Sequence, residues 1–181
     1  QQPTNTAAGS SISPAITVLI QDAGGNTVTG DNSTQVTLAI VANPGSGTLS
    51  GTTTVTASSG VATFSNLSIN KTGTGYTLGA TSSPALTGAT SSTFNITPGS
   101  ATKLVFGQQP TNTTATSTIT PAVTVRIEDA NDNLVTSDTR NVTLAIGTNP
   151  SSGTLSGTTT VAASGGVATF SNLSINKTGT G

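Results

Sequence analysis

The stretch Gly60–Ala80 reads Gly-Val-Ala-Thr-Phe-Ser-Asn-Leu-Ser-Ile-Asn-Lys-Thr-Gly-Thr-Gly-Tyr-Thr-Leu-Gly-Ala, and it returns nearly letter for letter from Gly166 to Gly181. No other feature constrains the chain as much, because whatever one copy folds into, the other must fold into too. Gln1-Gln2-Pro3-Thr4-Asn5-Thr6 reappears as Gln108 to Thr113, an offset of 107 residues that falls to 106 between Val36 and Val142. One residue is lost near Ser33 and Thr34, between two strand-like runs, where no ladder register depends on it. A period of about a hundred residues is too long for a solenoid or propeller unit and suits one small domain.

Inside the repeated stretch, Ala62 and Phe64 alternate with small polar residues, and Leu67 and Ile69 do so again. That period of two predicts half-buried strands. A glycine-rich corner follows, then a second alternating run of Tyr76, Leu78 and Ala80. Strand, glycine corner and tyrosine-led strand is the way an immunoglobulin-like sandwich passes from one sheet to the other, the phenol locking the corner to backbone. Tyr76 is therefore read as a structural lock, and Phe64 and Phe170, at the same place in the two copies, as structural core residues. The fold class expected is all-β: two tandem immunoglobulin-like β-sandwich domains.

Serine and threonine make up about a third of the chain, charged residues 6%, and the formal net charge is -1. Electrostatics can contribute little to binding, and no basic patch exists for nucleic acid or anionic lipid. Disorder does not fit, because Val, Ile and Thr dominate the alternating segments. Histidine and cysteine are absent, which removes the commonest general base, disulfides and thiolate metal sites. No apolar run is long enough to insert into a membrane, and no signal peptide is visible. With no methionine, Gln1 is expected to lie inside a longer or processed polypeptide.

Along the chain, Gln1–Ser13 reads as a polar edge segment, since Pro3 cannot donate to a central ladder. Ile16, Val18 and Ile20, matched by Val123, Val125 and Ile127, predict a strand; Arg126 in place of Leu19 marks a position that meets solvent. Turn sequences follow at Asp22–Asn26 and Asp129–Asn133, then short strands at Val28 and Val135. Val36, Leu38 and Ile40, with Val142, Leu144 and Ile146, give the cleanest core alternation. Asn43–Gly47 and Asn149–Gly153 break the chain, and Leu49–Val55 predicts a strand with a solvent-facing threonine ladder. Phe94 and Ile96 point inward from a last strand over Ser92–Thr97.

The boundary is placed at Thr97-Pro-Gly-Ser100, giving domains 1–99 and 100–181. Lys103–Phe106 predicts an opening strand in the second domain with no counterpart before Gln1. The second domain stops short of a residue equivalent to Tyr76, so it is expected to lack its last two strands. Either the polypeptide continues or a neighbouring molecule adds strands. The short proline-containing linker predicts a semi-rigid, end-to-end pair.

Val123–Ile127 followed by Asp-Ala-Asn-Asp-Asn at 129–133, Val-Thr-Leu-Ala-Ile at 142–146, Gly-Thr-Leu-Ser-Gly at 153–157, Gly166–Ile175 and Gly-Tyr-Thr-Leu at 75–78 form an ordered set. The set resembles the tandem bacterial Ig-like (Big-type) repeats of large secreted or surface proteins, with invasin and intimin stalks as distant relatives. The resemblance covers essentially the whole chain. It implies an exported array acting as a stalk, spacer or fibre shaft, and it implies no enzyme.

Asp129, Asn131, Asp132 and Asn133 are the sharpest candidate site, because clustered carboxylate and amide oxygens suit calcium, and their spacing is similar to the calcium-linker motif of cadherins. An ordinary Asx-type turn is the competing reading; the first copy keeps only Asp22 and Asn26. No other cofactor is expected. Six acidic residues spread over turns supply neither paired acids nor a nucleophile with its base. Lys71, Lys103 and Lys177 are candidates for an isopeptide bond. Phe64, Phe94, Phe106 and Phe170 all fall on the apolar phase of their strands and read as core, which argues against sugar stacking. Asn66-Leu-Ser68 and Asn70-Lys-Thr72 read as chance glycosylation triplets in so Thr-rich a chain.

These readings converge on an extracellular or cell-surface structural repeat protein, part of a long array forming a fibre shaft or stalk. Its expected partners are other copies of the same repeat, end to end and laterally. An adhesin module for a host or mineral surface, and a spacer in a larger secreted enzyme, are the alternatives.

Overall fold

The alternating letters of both copies become strands in the computed structural model, which describes residues 1–180; Gly181 lies outside the described residues. The chain divides into units Gln1–Gly99 and Ser100–Gly181. Both are all-β, and no helix occurs among the described residues.

In the first unit the strands are β1 (Thr6–Ala7), β2 (Ile16–Leu19), β3 (Gln35–Ala42), β4 (Leu49–Ser50), β5 (Thr54–Thr56), β6 (Val61–Phe64), β7 (Ser68–Ile69), β8 (Gly73–Ser83), β9 (Ala89–Thr90) and β10 (Phe94–Thr97). One sheet runs β1-β10-β8-β3-β5, with β9 beside β8; the other layer is built from the pairs β2–β6 and β4–β7. The repeated stretch thus begins in one layer at β6 and ends in the other at β8. Between the layers lie Ile16, Val36, Leu38, Phe64, Leu67, Ile69, Tyr76, Leu78, Phe94 and Ile96, all buried in one cluster. Period-two alternation puts these side chains on the inner face and leaves Thr17, Thr37 and Thr54 outside. On the outer face Thr37 and Thr54 hydroxyls meet across β3 and β5 at 2.9 Å.

The second unit holds β11 (Ala101–Gln108), β12 (Val123–Asp129), β13 (Asn141–Thr143), β14 (Leu155–Ser156), β15 (Thr160–Ala162), β16 (Val167–Phe170) and β17 (Ser174–Ile175). They pair as β11-β12-β16, β13–β15 and β14–β17. Val123, Val125, Ile127, Val142, Ala168, Phe170 and Leu173 form its buried cluster.

Several expectations are corrected. No strand forms at Val28 or Val135; single bridges Gln21↔Thr27 and Glu128↔Leu134 close the preceding turns instead. Leu49–Val55 is two short strands, because Gly51 between them takes φ +102°. The polar opening segment contributes Ile12, 1% exposed, to the core. Phe106 is not core: it is 43% exposed. It pairs with buried Val125, and Leu104 with buried Ile127, so both sit on the inward face of β11. In the first unit the matching inner face of β2 looks onto Leu38, Leu78 and Ala80. Among the described residues β11 is the edge strand of its sheet, with β12 on one side only, which leaves Phe106 partly open to solvent.

Candidate functional site

The acidic turns come first, because they carry the candidate metal ligands. Asp129 ends β12, is 1% exposed, and its Oδ1 accepts the backbone N–H of Asn131 at 2.8 Å and of Asn133 at 2.9 Å. The Asn133 side-chain amide donates to both Asp129 oxygens, at 3.1 and 3.0 Å. Asp132, at φ 61°, directs its carboxylate to the Lys103 ammonium on β11. That contact holds the Lys103 amine above its ordinary pKa. The structure therefore brings Asp129, Asn131 and Asn133 together as a closed Asx turn, and sends Asp132 to a different partner. Among the described residues there is no group of three or more His, Cys, Asp or Glu placed to hold a metal ion.

Asp22 builds the same turn in the first copy, accepting from Gly24 N and Asn26 N at 2.9 Å each. Hydrogen bonds from Asn26 are the main cause of its carboxyl lying below the ordinary 3.8. Gly25, φ +81°, stands where Asp132 stands in the second copy. Asp22 is exposed where Asp129 is buried, and the difference is β11, whose Ala101 pairs with Asp129.

Tyr76 is fully buried and donates its hydroxyl to the Lys71 carbonyl at 2.9 Å, with the Phe94 ring centroid 6.0 Å away. Burial raises its pKa above 10.0, and the N–H groups of Gly45 and Gly47 pull it partly back. Phe64 and Phe170 are each 1% exposed, at equivalent places on β6 and β16.

Sequence reasoning missed the asparagines. Asn66 Oδ1 accepts Thr52 N at 2.9 Å, and Asn172 Oδ1 accepts Thr158 N at 2.8 Å. Asn70 and Asn176 receive Thr48 N and Thr154 N, each at 2.7 Å. Asn43 and Asn149 each exchange two hydrogen bonds with the backbone of Gly47 and Gly153. These residues staple the turns of both units; the signal was their unbroken repetition, masked at Asn66, Asn70, Asn172 and Asn176 by coincidence with glycosylation triplets. The chemical consequence is that the polar side chains with the most partners are engaged in holding backbone.

Two cavities among the described residues bear on ligand binding. A cleft of about 260 Å³ in the first unit runs beside β2, lined by Ile16, Val18, Leu38, Leu78 and Ala80. A groove of about 550 Å³ in the second unit is lined by Ile119, Ile146, Ile175, Pro150 and Ser151. No carboxylate lines either, and Lys177 is the single cationic side chain among them.

No protein-family model and no curated protein matches the chain. A solved structure of FdeC, described as a broadly conserved Escherichia coli adhesin eliciting protection against urinary tract infections, is similar at 19% identity and a TM-score of 0.42. The likeness covers 95% of this chain and 52% of that one, so the chain spans about half the length of the FdeC structure.

Proposed function

We propose that the chain is a structural segment of an extracellular array of Ig-like sandwich domains, one repeat per unit, serving as a fibre shaft or surface stalk. The observation that carries this reading is the duplication of the staples themselves. Asn43, Asn66 and Asn70 in one unit and Asn149, Asn172 and Asn176 in the other close the same turns with the same partners. Chemistry-bearing side chains are engaged in holding backbone, as a module selected for shape rather than reaction requires. Repeat number then sets reach, and the near-neutral surface lets neighbouring shafts approach without strong repulsion. Partners in this reading are other copies of the repeat.

Electron microscopy of the native material tests it. Filaments or stalks with an axial step of roughly 40 Å per domain, the size of a hundred-residue domain, are the expected result. Globular particles without axial periodicity would remove it. Adhesion, the role named for FdeC, is the alternative on the same scaffold. Saturable binding of the purified chain to a host or mineral surface would favour it over a purely mechanical shaft.

A further inference from the structure

We propose that Asn141 is an N-glycosylation site, its side-chain amide carrying a sugar that lies over Ala162 on the outer face of the second unit. The site rests on the shaft reading only for its extracellular placement.

The chain holds eight Asn-X-Ser/Thr triplets with no proline at X, the pattern that a glycan-transferring enzyme accepts. Most are occupied by the fold. Asn32 Oδ1 accepts the N–H of Ser59 at 2.8 Å, and Asn95 Oδ1 that of Gly75 at 3.0 Å. Asn66, Asn70, Asn172 and Asn176 are the staples already described. An enzyme that takes hold of one of these amides must first release a backbone group. For Asn112 and Asn141 no side-chain hydrogen bond forms among the described residues. Their counterparts in the first unit separate them. Asn5, matching Asn112, accepts the N–H of Asn95 at 2.7 Å. Gln35, matching Asn141, is exposed although β3 has a strand on either side. The openness of Asn141 is thus a property of its face of the strand, whatever lies beside β13.

Two differences between the copies meet at this spot. Gln35 pairs with Thr56 across β3 and β5; at the same register across β13 and β15, Asn141 pairs with Ala162. The copy that has the acceptor amide also has the smaller residue facing it. Val142 is 2% exposed and faces the core, so Asn141 and Thr143 point outward together. The triplet therefore presents its amide and its hydroxyl on one side, as an enzyme that reads both requires. In the next row Thr143 meets the Thr160 hydroxyl at 2.8 Å. The first sugar is offered a methyl group and hydroxyls, with no charge on Asn141, Thr143, Thr160 or Ala162.

In the reaction the Asn141 nitrogen bonds to the anomeric carbon of a diphosphate-activated sugar. The carbon–oxygen bond to the diphosphate breaks, its electron pair leaves with the diphosphate, and the nitrogen's proton passes to a base of the transferring enzyme. The product is bulky and solvated, so it keeps neighbouring copies off this face of the second unit.

Mass spectrometry of the chain recovered from the surface of its native cells is the test. Tryptic peptides ending at Lys177 carry Asn141 together with Asn172 and Asn176, and electron-transfer fragmentation separates the three. The expected result is a sugar on Asn141 and bare asparagine at the occupied triplets. A single hexose, from a nucleotide-linked donor, and a preassembled oligosaccharide, from a lipid-linked one, both support the site. Asn141→Gln should lose the sugar while the chain still reaches the surface. Thr143→Ala should lose it and Thr143→Ser should keep it, which a merely structural role for Thr143 does not require. Ala162→Thr, which restores the residue of the first copy, should lower the modified fraction; unchanged occupancy overturns the part given to Ala162. Unmodified Asn141 in chains from the cell surface overturns the site and leaves the shaft reading standing. Unmodified chains found only inside the cell overturn both.

Discussion

The hydroxyl of Tyr76 donates to the Lys71 carbonyl at 2.9 Å, five residues back along the chain and across the corner between the two layers of the first unit. The bond is small in energy, but it fixes the angle at which β8 leaves β7 and so the register of the longest strand in the unit.

Tyr76→Phe should destabilise the first unit by about 1–2 kcal/mol, the cost of losing the hydrogen bonds of a fully buried hydroxyl. Denaturant unfolding measures it. Tyr76 also titrates above its ordinary 10.0 in the folded unit. The unfolded chain therefore loses this proton first, so the contribution is complete below pH 10.0 and is lost as pH rises through the folded value. Tyr76→Phe should remove that part of the alkaline sensitivity.

Gly45→Ala should cost more than Tyr76→Phe, about 2–3 kcal/mol, because the new methyl meets backbone rather than the end of a flexible side chain. Ser151→Ala in the second unit, where a Cβ is already present, should stay within about 0.5 kcal/mol. Equal effects at the two positions would refute the assignment of the clash to the tyrosine corner.

Asn66→Ala and Asn172→Ala should each cost about 1–2 kcal/mol and speed hydrogen exchange at Thr52 and Thr158 respectively. Asn66→Asp should be milder, since a carboxylate oxygen still accepts the Thr52 N–H. A glycan on Asn66 would disturb its contact to the Thr52 hydroxyl, so unmodified Asn66 is expected by mass spectrometry.

Acid should weaken both units through matching aspartates. Asp31 lies below its ordinary 3.8 chiefly through the Thr34 hydroxyl, and Asp138 chiefly through Arg140. Both stay ionised in the folded chain at a pH where the unfolded chain takes up protons. Their contribution is present above 3.8 and lost as pH falls through the lowered values. Both residues are half-buried, and the effect should shrink for Asp138 in high salt because the Arg140 side chain it pairs with is 58% exposed. Thermal melts of Asp31→Asn and Asp138→Asn across that pH range check the direction.

Calcium should leave the melting temperature of the chain unchanged, because Asp129 already accepts hydrogen bonds from Asn131 and Asn133 and Asp132 is paired with Lys103. Asp129→Ala should destabilise the second unit equally with calcium or chelator, by about 2–3 kcal/mol for the hydrogen bonds lost with a fully buried carboxylate. A calcium-dependent rise in melting temperature that Asp129→Ala abolishes would establish the metal reading instead.

Much of the fold was legible because its causes are local. Ala62, Phe64, Leu67 and Ile69 alternate in the letters and are fully or almost fully buried in the structure, since a strand places every second side chain on one face whatever lies beyond it. The candidate calcium residues were legible as a turn for the same reason: Asp129 reaches amides only two and four residues away. The partner of Asp132 was not, because Lys103 lies 29 residues upstream.

Val36–Ile40 and Val142–Ile146 mark the limit. Both read Val-Thr-Leu-Ala-Ile, yet the first lies within an eight-residue strand and the second begins in one that ends at Thr143. Sequence determined which face of each run is apolar and where its turns lie, because those depend on the residue and its neighbours. Tertiary structure alone decided strand length, the burial of Leu38 against the half-burial of Leu144, and the exposure of Phe106. Each depends on which strands lie beside the run, and those partners are remote in sequence: β3 lies between β8 and β5, whereas β13 pairs β15 among the described residues.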